Sequence, residues 1–275
     1  MASRKIRVLI LCKTYPSPSA RHAETCCVAG MDEKGSLIRL YPVPFRLIGD
    51  KEQFKKWQWI SARIEKSNKD HRPESNRILV DTISCDSRPL STRDHWLARR
   101  TWLDKIPVFT DFAELEDARK TKGVTLGLVR PSRILGLDIT AADKPDWTPT
   151  ETKKLLQLQQ QGALFDDTDA RSIKTLRKLP FDFHYRYVCD GANGQAEYRH
   201  KIVDWEAGAL YWNVRKSHDE QWQAAFKAKL ENELPAQDLM FLMGTIHRFP
   251  DQWLIVSLIY PPRLPLGTPR QETLL

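Results

Sequence analysis

The chain has 275 residues, 41% of them apolar and 28% charged, with a net charge of +8. That length suits one large domain or two small ones, and the composition is that of a soluble globular protein. No apolar run approaches the eighteen or so residues that span a bilayer. The apolar opening, residues 6–12, is interrupted by Arg7 and ends at Lys13, which is too short for a secretory leader. The reading is a first strand in a cytoplasmic protein.

The five cysteines, Cys12, Cys26, Cys27, Cys85 and Cys189, are odd in number and two are adjacent. That speaks against a disulfide framework, and the lack of any CxxC pair speaks against a zinc ribbon. The charge is unevenly spread. Residues 1–77 hold sixteen Lys/Arg against eight Asp/Glu, an excess equal to that of the whole chain. A basic surplus confined to one segment points to a polyanionic partner; a solvated Lys-rich surface is the plainer alternative.

In chain order, residues 6–12, 25–29, 37–41, 59–64 and 78–84 read as strands, the second and third joined by a Gly-containing turn. Residues 50–57 read as a short helical turn with Phe54 and Trp57 on one face. Five strands with a small helix between the third and fourth outline an OB-like or SH3-like barrel. Residues 91–103 and 112–121 read as helices. Residues 124–139 return to strand character with Pro131 at a bend, and either close the first barrel or open a second. Residues 140–149 are the linker candidate, followed by helices at 150–161 and from 166 to about 178. Residues 181–187 alternate Phe181, Phe183, Tyr185 and Tyr187 with Asp182, His184 and Arg186, a half-buried strand. Further strands are expected at 198–205 and 209–214, a long helix at 217–234, and a closing hairpin from 239–247 and 252–260. The Pro-rich residues 261–275 read as an extended tail. No internal sequence repeat is evident.

Three constellations carry chemistry. The first interleaves aromatic and basic residues between Arg39 and Ile64. Single-stranded nucleic acid is held by cationic grooves with aromatic stacking faces. Tyr41, Phe45, Trp57 and Trp59 are the stacking candidates, and Lys13, Arg21, Arg39, Arg46, Lys55, Lys56, Arg63, Lys66, Lys69 and Arg72 the phosphate contacts. The competing reading puts the aromatics in the core. The second constellation is His200, Asp204 and Glu206, with Asp190 and Cys189 nearby. A His with two carboxylates can hold Mg²⁺ or Mn²⁺, or Zn²⁺ if a Cys joins, and such a site can hydrolyse phosphodiesters. Asp204-Trp205-Glu206 lacks the lysine that follows an acidic residue in common restriction-type nucleases. The alternative is that His200 pairs with one of the carboxylates to steady a hairpin end. The third is Cys12, His22 and Cys26, a conceivable nucleophile pair set against buried cysteines acting as small hydrophobes. Dinucleotide, P-loop, hydrolase-elbow, zincin and kinase motifs are absent, and no cofactor is expected.

The pieces "LILCKTYP", "ETCCVAGMDEKGSLIRLYPVPFR", "FHYRYVCDG", "HKIVDWE" and "GTIHRFPDQWLIVSLIYPP" resemble a bacterial group of dual OB-domain proteins tied to antiviral genome defence and mobile elements. The resemblance implies two OB-like barrels and a nucleic-acid-binding role beside other effector proteins. It carries over no catalytic residue.

These observations predict an α+β protein of two β-rich lobes with a helical middle: a basic barrel-like domain over 1–139, a helical linker over 140–179, and a β-rich domain with one long helix over 180–275. The expected function is non-catalytic nucleic-acid binding, of DNA or RNA, as a subunit or adaptor in a bacterial defence or DNA/RNA-processing system. Other protein subunits are expected as partners and a membrane is not. The rivals are a metal-dependent nuclease and a protein-interaction scaffold.

Overall fold

In the computed structural model, residues 3–18, 24–153, 176–192 and 194–265 are described. The chain is mostly β, in two sheets. The first sheet begins with β1 (Arg4–Lys13), β2 (Ser17–Pro18), β3 (Glu24–Met31) and β4 (Leu37–Val43). It is completed by β5 (Trp59–Lys66) and β6 (Ser75–Cys85).

This sheet closes on itself. β1 pairs antiparallel with β5 along its first half, from Arg4 to Leu9, and with β3 along its second, from Leu9 to Lys13. A register shift between Ile10 and Cys12 lets one strand serve both neighbours. β3 and β4 run antiparallel, β4 and β6 parallel, β6 and β5 antiparallel. The circuit β1-β3-β4-β6-β5-β1 is a five-stranded Greek-key barrel of the OB type. Its interior holds Val8, Ile10, Val28, Leu40, Ile60 and Ile64. The turn between β3 and β4 forms because Asp32 Oδ1 accepts from the amides of Lys34 and Ser36, and Gly35 takes φ of 89°.

The expected helical turn at 50–57 is a run of turns instead. Phe54 and Trp57 are nevertheless buried, with Trp57 at φ of 65°. A helix, α1 (Arg93–Leu103), follows. Its first turn is left-handed at Asp94, His95 and Trp96, which sets Trp96 between Trp57 and Tyr260.

The second sheet comprises β7 (Val108–Phe109), β8 (Leu126–Val129), β9 (Arg133–Ala141), β10 (Phe181–Gly191), β11 (Gly194–Ile202), β12 (Met240–Ile246) and β13 (Phe249–Ile259). α2 (Phe112–Lys122) precedes β8. The stretch 124–139 therefore lies in this sheet. The strand order is β7-β8-β12-β13-β11-β10-β9, with β11 and β13 parallel. It repeats the topology of the first barrel. β8 and β9 correspond to the two halves of β1: one half pairs with β12, the other with β10. Here Pro131 breaks the strand where β1 only shifts register.

Residues 209–214 are helical, a correction to the expected strand. They belong to α3 (Trp205–His218), capped by Asp204, whose side chain accepts from the amide of Glu206. The long helix expected over 217–234 is a 3₁₀ turn, then α4 (Trp222–Lys227), then a π-helical turn over Ala228–Glu233. Trp222, Phe226 and Leu230 fill the second core with Phe183, Tyr185 and Phe241. Most of the two helices expected between 150 and 178 lies outside the described residues; residues 149–153 are helical.

A third core lies between the sheets. Leu9, Leu11, Ala29 and Met31 of the first barrel meet Leu126, Leu128, Met240, Leu242 and Val256 of the second. These are outward residues of both barrels, so β3 is buried on both faces. No described helix is long and apolar enough to cross a membrane.

Candidate nucleic-acid interface

An OB barrel presents ligands to the outer face of its second and third strands and to the loops around them. In the first barrel these are β3 and β4, and the seam covers half of that face. Arg39, outward on β4, is 3% exposed. Its guanidinium meets Glu74 at 3.0 Å and donates to Thr125 O at 3.1 Å. It staples the lobes and is withdrawn from any phosphate.

Several other sequence candidates are spent in the same way. Lys56 Nζ reaches Glu206 Oε2 at 2.9 Å, the Leu258 carbonyl at 2.8 Å and Asp204 at 3.9 Å. Burial opposes its charge, but the two carboxylates outweigh it and raise its pKa. Carboxylates of the trailing lobe thus neutralise a lysine of the leading one. Arg72 binds both oxygens of Asp70 and the Thr245 carbonyl, and Asp70 is held well below the ordinary carboxylate range against its partial burial. Arg46 pairs with buried Glu24 at 3.4 Å. Lys13 Nζ sits 3.7 Å from the Phe45 ring centroid and donates to Phe54 O; burial lowers its pKa to about 8. Trp57, Trp59 and Phe45 are buried, which is the core reading of those aromatics. Arg21 lies outside the described residues.

Exposed at the surface are Tyr41, at 48%, and Lys55, Arg63, Lys66 and Lys69. Register brings some of these together with residues the sequence reading left out. Lys5 on β1 is the cross-strand partner of Arg63 on β5. Glu65, two residues along the same face, is the partner of Arg77 on β6. Leu40 pairs with Asn76, and the next residue of each strand, Tyr41 and Arg77, is exposed. The result is a slanting band across four strands: Lys5, Arg63, Arg77, Tyr41. Lys66 is spent at the β5–β6 end, where its Nζ donates to the carbonyls of Arg72 and Pro73; Lys69, on the connection that follows, is exposed. The band's carboxylates are Glu65, 3.4 Å from Arg77, and exposed Asp81. Arg63 donates to Ser3 Oγ and to no carboxylate among the described residues. Directly opposed like charges such as Lys5 and Arg63 repel each other unless an anion lies between them. Lys55 sits apart, on the connection between β4 and β5.

The matching face of the second barrel is polar but self-paired. Asp138 takes Arg186 at 3.0 Å and Arg199 at 2.7 Å, and Lys201 meets Asp182 at 2.6 Å.

The candidate metal set does not assemble, which corrects that expectation. Asp204 is buried as the α3 cap, and its second oxygen accepts from the Leu258 amide at 2.8 Å. His200 faces the other way, against Phe112, with Nδ1 at 2.9 Å from the Tyr187 hydroxyl. Glu206 is taken by Lys56. Among the described residues no group of three His, Cys, Asp or Glu side chains is disposed to hold a metal. The Cys12 thiol is buried and its pKa pushed well up, so it offers no thiolate; His22 lies outside the described residues.

Two stacked OB-type barrels sharing a buried seam, with one lobe's solvent face banded by cations, define the class of protein. Residues 109–274 match the family described as Domain of unknown function (DUF8757), and the chain belongs to it. Residues 4–105 match Domain of unknown function (DUF8758). No curated protein matches the sequence. A solved structure titled "Structure and Conformational Change of a Replication Protein A Heterotrimer Bound to ssDNA" is similar over 94% of this chain and 66% of that one, just under two thirds, at 12% identity and a TM-score of 0.27. At that score the likeness carries neither fold nor ligand to this chain.

Proposed function

We propose that this protein is a non-catalytic nucleic-acid-binding subunit or adaptor. One observation carries the reading: the exposed residues Lys5, Arg63, Arg77 and Tyr41 on adjoining strands of an OB-type barrel, with exposed Lys69 on the β5–β6 connection. Cations in a row track a phosphate backbone, and an exposed tyrosine on the third strand offers a stacking face. The covered half of the β3–β4 face leaves the strand to run along the β6–β5–β1 side. The defence setting rests on the sequence resemblance alone.

The experiment is fluorescence anisotropy with labelled single- and double-stranded oligonucleotides at several salt concentrations. Binding in the range of about 10⁻⁴–10⁻⁶ M at physiological salt, weakening steeply as salt rises, is expected. Replacing Arg63 and Arg77 by Ala lowers the salt slope by roughly 1.4 for a single strand, about 0.7 for each lost phosphate contact. Absence of binding at low salt, or an unaltered slope in the double variant, overturns the reading.

A further inference from the structure

The second barrel has a pocket of its own at the break in its first strand. Where Pro131 separates β8 from β9, Pro235, Gln237, Asp238, Leu239 and Arg263 border a half-open cleft of about 420 Å³. Three arginines, Arg130, Arg133 and Arg263, line it together with one carboxylate, Asp238. Arg130 is fixed by Asp238, Nε to Oδ1 at 2.9 Å and Nη2 to Oδ2 at 3.3 Å. Arg263 is fixed by backbone carbonyls, donating to Ala236 O at 3.1 Å and Pro235 O at 3.3 Å. In both, Nη1 makes no hydrogen bond to a described residue. Arg133 is exposed, and its side chain has no partner among the described residues.

We propose that this pocket binds a phosphate monoester of mononucleotide size. Its walls carry three positive charges and one negative, a net of two. A phosphate monoester brings about −1.5 to −2 at neutral pH; a lone carboxylate brings half of that. Guanidinium forks match phosphate oxygens in geometry. Arg133 offers its whole fork, while Arg130 and Arg263, held by their Nε and Nη2 groups, offer Nη1 from fixed positions, so little ordering is lost on binding. The volume falls in the range of small-ligand sites and exceeds what inorganic phosphate fills. Pro131, Ile134 and Leu239 supply apolar wall for the rest of the molecule. The same phosphate chemistry comes from a free nucleotide or from the 5′-phosphate of a strand end.

The proposal is independent of the cationic band on the first barrel, and its test keeps the two apart. Isothermal titration with adenosine monophosphate is expected to show saturable binding, and with adenosine none. Arg133→Ala and Arg263→Ala each weaken adenosine monophosphate roughly tenfold, the effect of one charge-assisted hydrogen bond. The Arg63→Ala/Arg77→Ala variant leaves that affinity unchanged. A 5′-phosphorylated oligonucleotide is compared with its 5′-hydroxyl form. A gain from the phosphate that disappears in Arg133→Ala identifies a strand end as the source; binding of the monophosphate without such a gain identifies a free nucleotide. No saturable binding of adenosine monophosphate and no gain from the 5′-phosphate, or equal binding by an Arg133→Ala/Arg263→Ala protein that melts like the parent, overturns the proposal.

Discussion

Arg39 of the first barrel donates to the carbonyl of Thr125, 86 residues on, at 3.1 Å, while the same guanidinium holds Glu74 at 3.0 Å. The Thr125 hydroxyl completes the group by donating to Glu74 at 2.6 Å. A cation that a sequence reading assigns to phosphate is instead the buried fastening of two lobes. Arg39→Ala leaves the Glu74 carboxylate buried without its counter-charge and costs about 3–5 kcal/mol. Urea unfolding measures it. Arg39→Met with Glu74→Met recovers most of the loss, since no lone charge then remains. A loss below about 1 kcal/mol for Arg39→Ala would mean the pair is solvated and the seam loose.

The buried seam is expected to make the lobes unfold together. Leu128 is fully buried there, against the first barrel. Leu128→Ala is expected to cost about 2–5 kcal/mol and to shift the whole protein. Far-UV circular dichroism, which follows both lobes, and tryptophan fluorescence are expected to report one coincident transition in parent and variant. Two separated transitions in the parent would show that the buried seam does not couple the barrels.

Asp204 serves three partners at once: the Glu206 amide, the Leu258 amide and Lys56. Asp204→Ala removes the α3 cap, strands the Leu258 amide and weakens the partnering of buried Lys56. A loss of about 3–5 kcal/mol is expected. Because these bonds occupy the carboxylate, Mg²⁺ or Mn²⁺ is expected to leave the melting temperature of the parent where EDTA leaves it. A metal-dependent rise abolished by Asp204→Ala would reinstate the nuclease reading.

Much of the strand pattern was legible. Alternation in "FDFHYRYVCD" and the apolar runs of the first barrel carry their own period, and core aromatics fill the inner face. Residues 209–214 misled because "ALYWNV" is apolar enough for either state; Asp204 with Glu206 two residues on was the cap signal for a helix. The repeated topology left no trace in the residues. One barrel bends its first strand by a register shift at Ile10 and the other breaks it at Pro131, and unlike side chains fill the two cores. The site was half legible for a different reason. Composition marks the leading lobe as basic, but which cations reach solvent depends on register and on partners far along the chain. Lys56 is lost to Glu206, 150 residues away, while pairing alone sets Lys5 opposite Arg63 and puts Arg77 opposite Glu65, two residues further along β5.

His200 gives the fold an acid limit. It packs against Phe112 at 4.5 Å between centroids, and its Nδ1 lies 2.9 Å from the Tyr187 hydroxyl. Burial raises the Tyr187 pKa, so the hydroxyl keeps its proton and donates, and Nδ1 must accept as a neutral imidazole. Burial, aided by the charge of His184, lowers the His200 pKa from 6.5 to about 4. Between those values the unfolded chain binds the proton and the folded one does not, so stability rises with pH across that window. It is full above about pH 6.5, falls as the solution is acidified and levels off below about pH 4. The amplitude is roughly 2–3 kcal/mol. Urea midpoints from pH 4 to pH 7 measure it, with His200→Gln, which keeps an acceptor for Tyr187 and cannot be protonated, as the control. The variant is expected to lose less stability over that range by about the stated amount; equal losses in both proteins would place the acid sensitivity elsewhere.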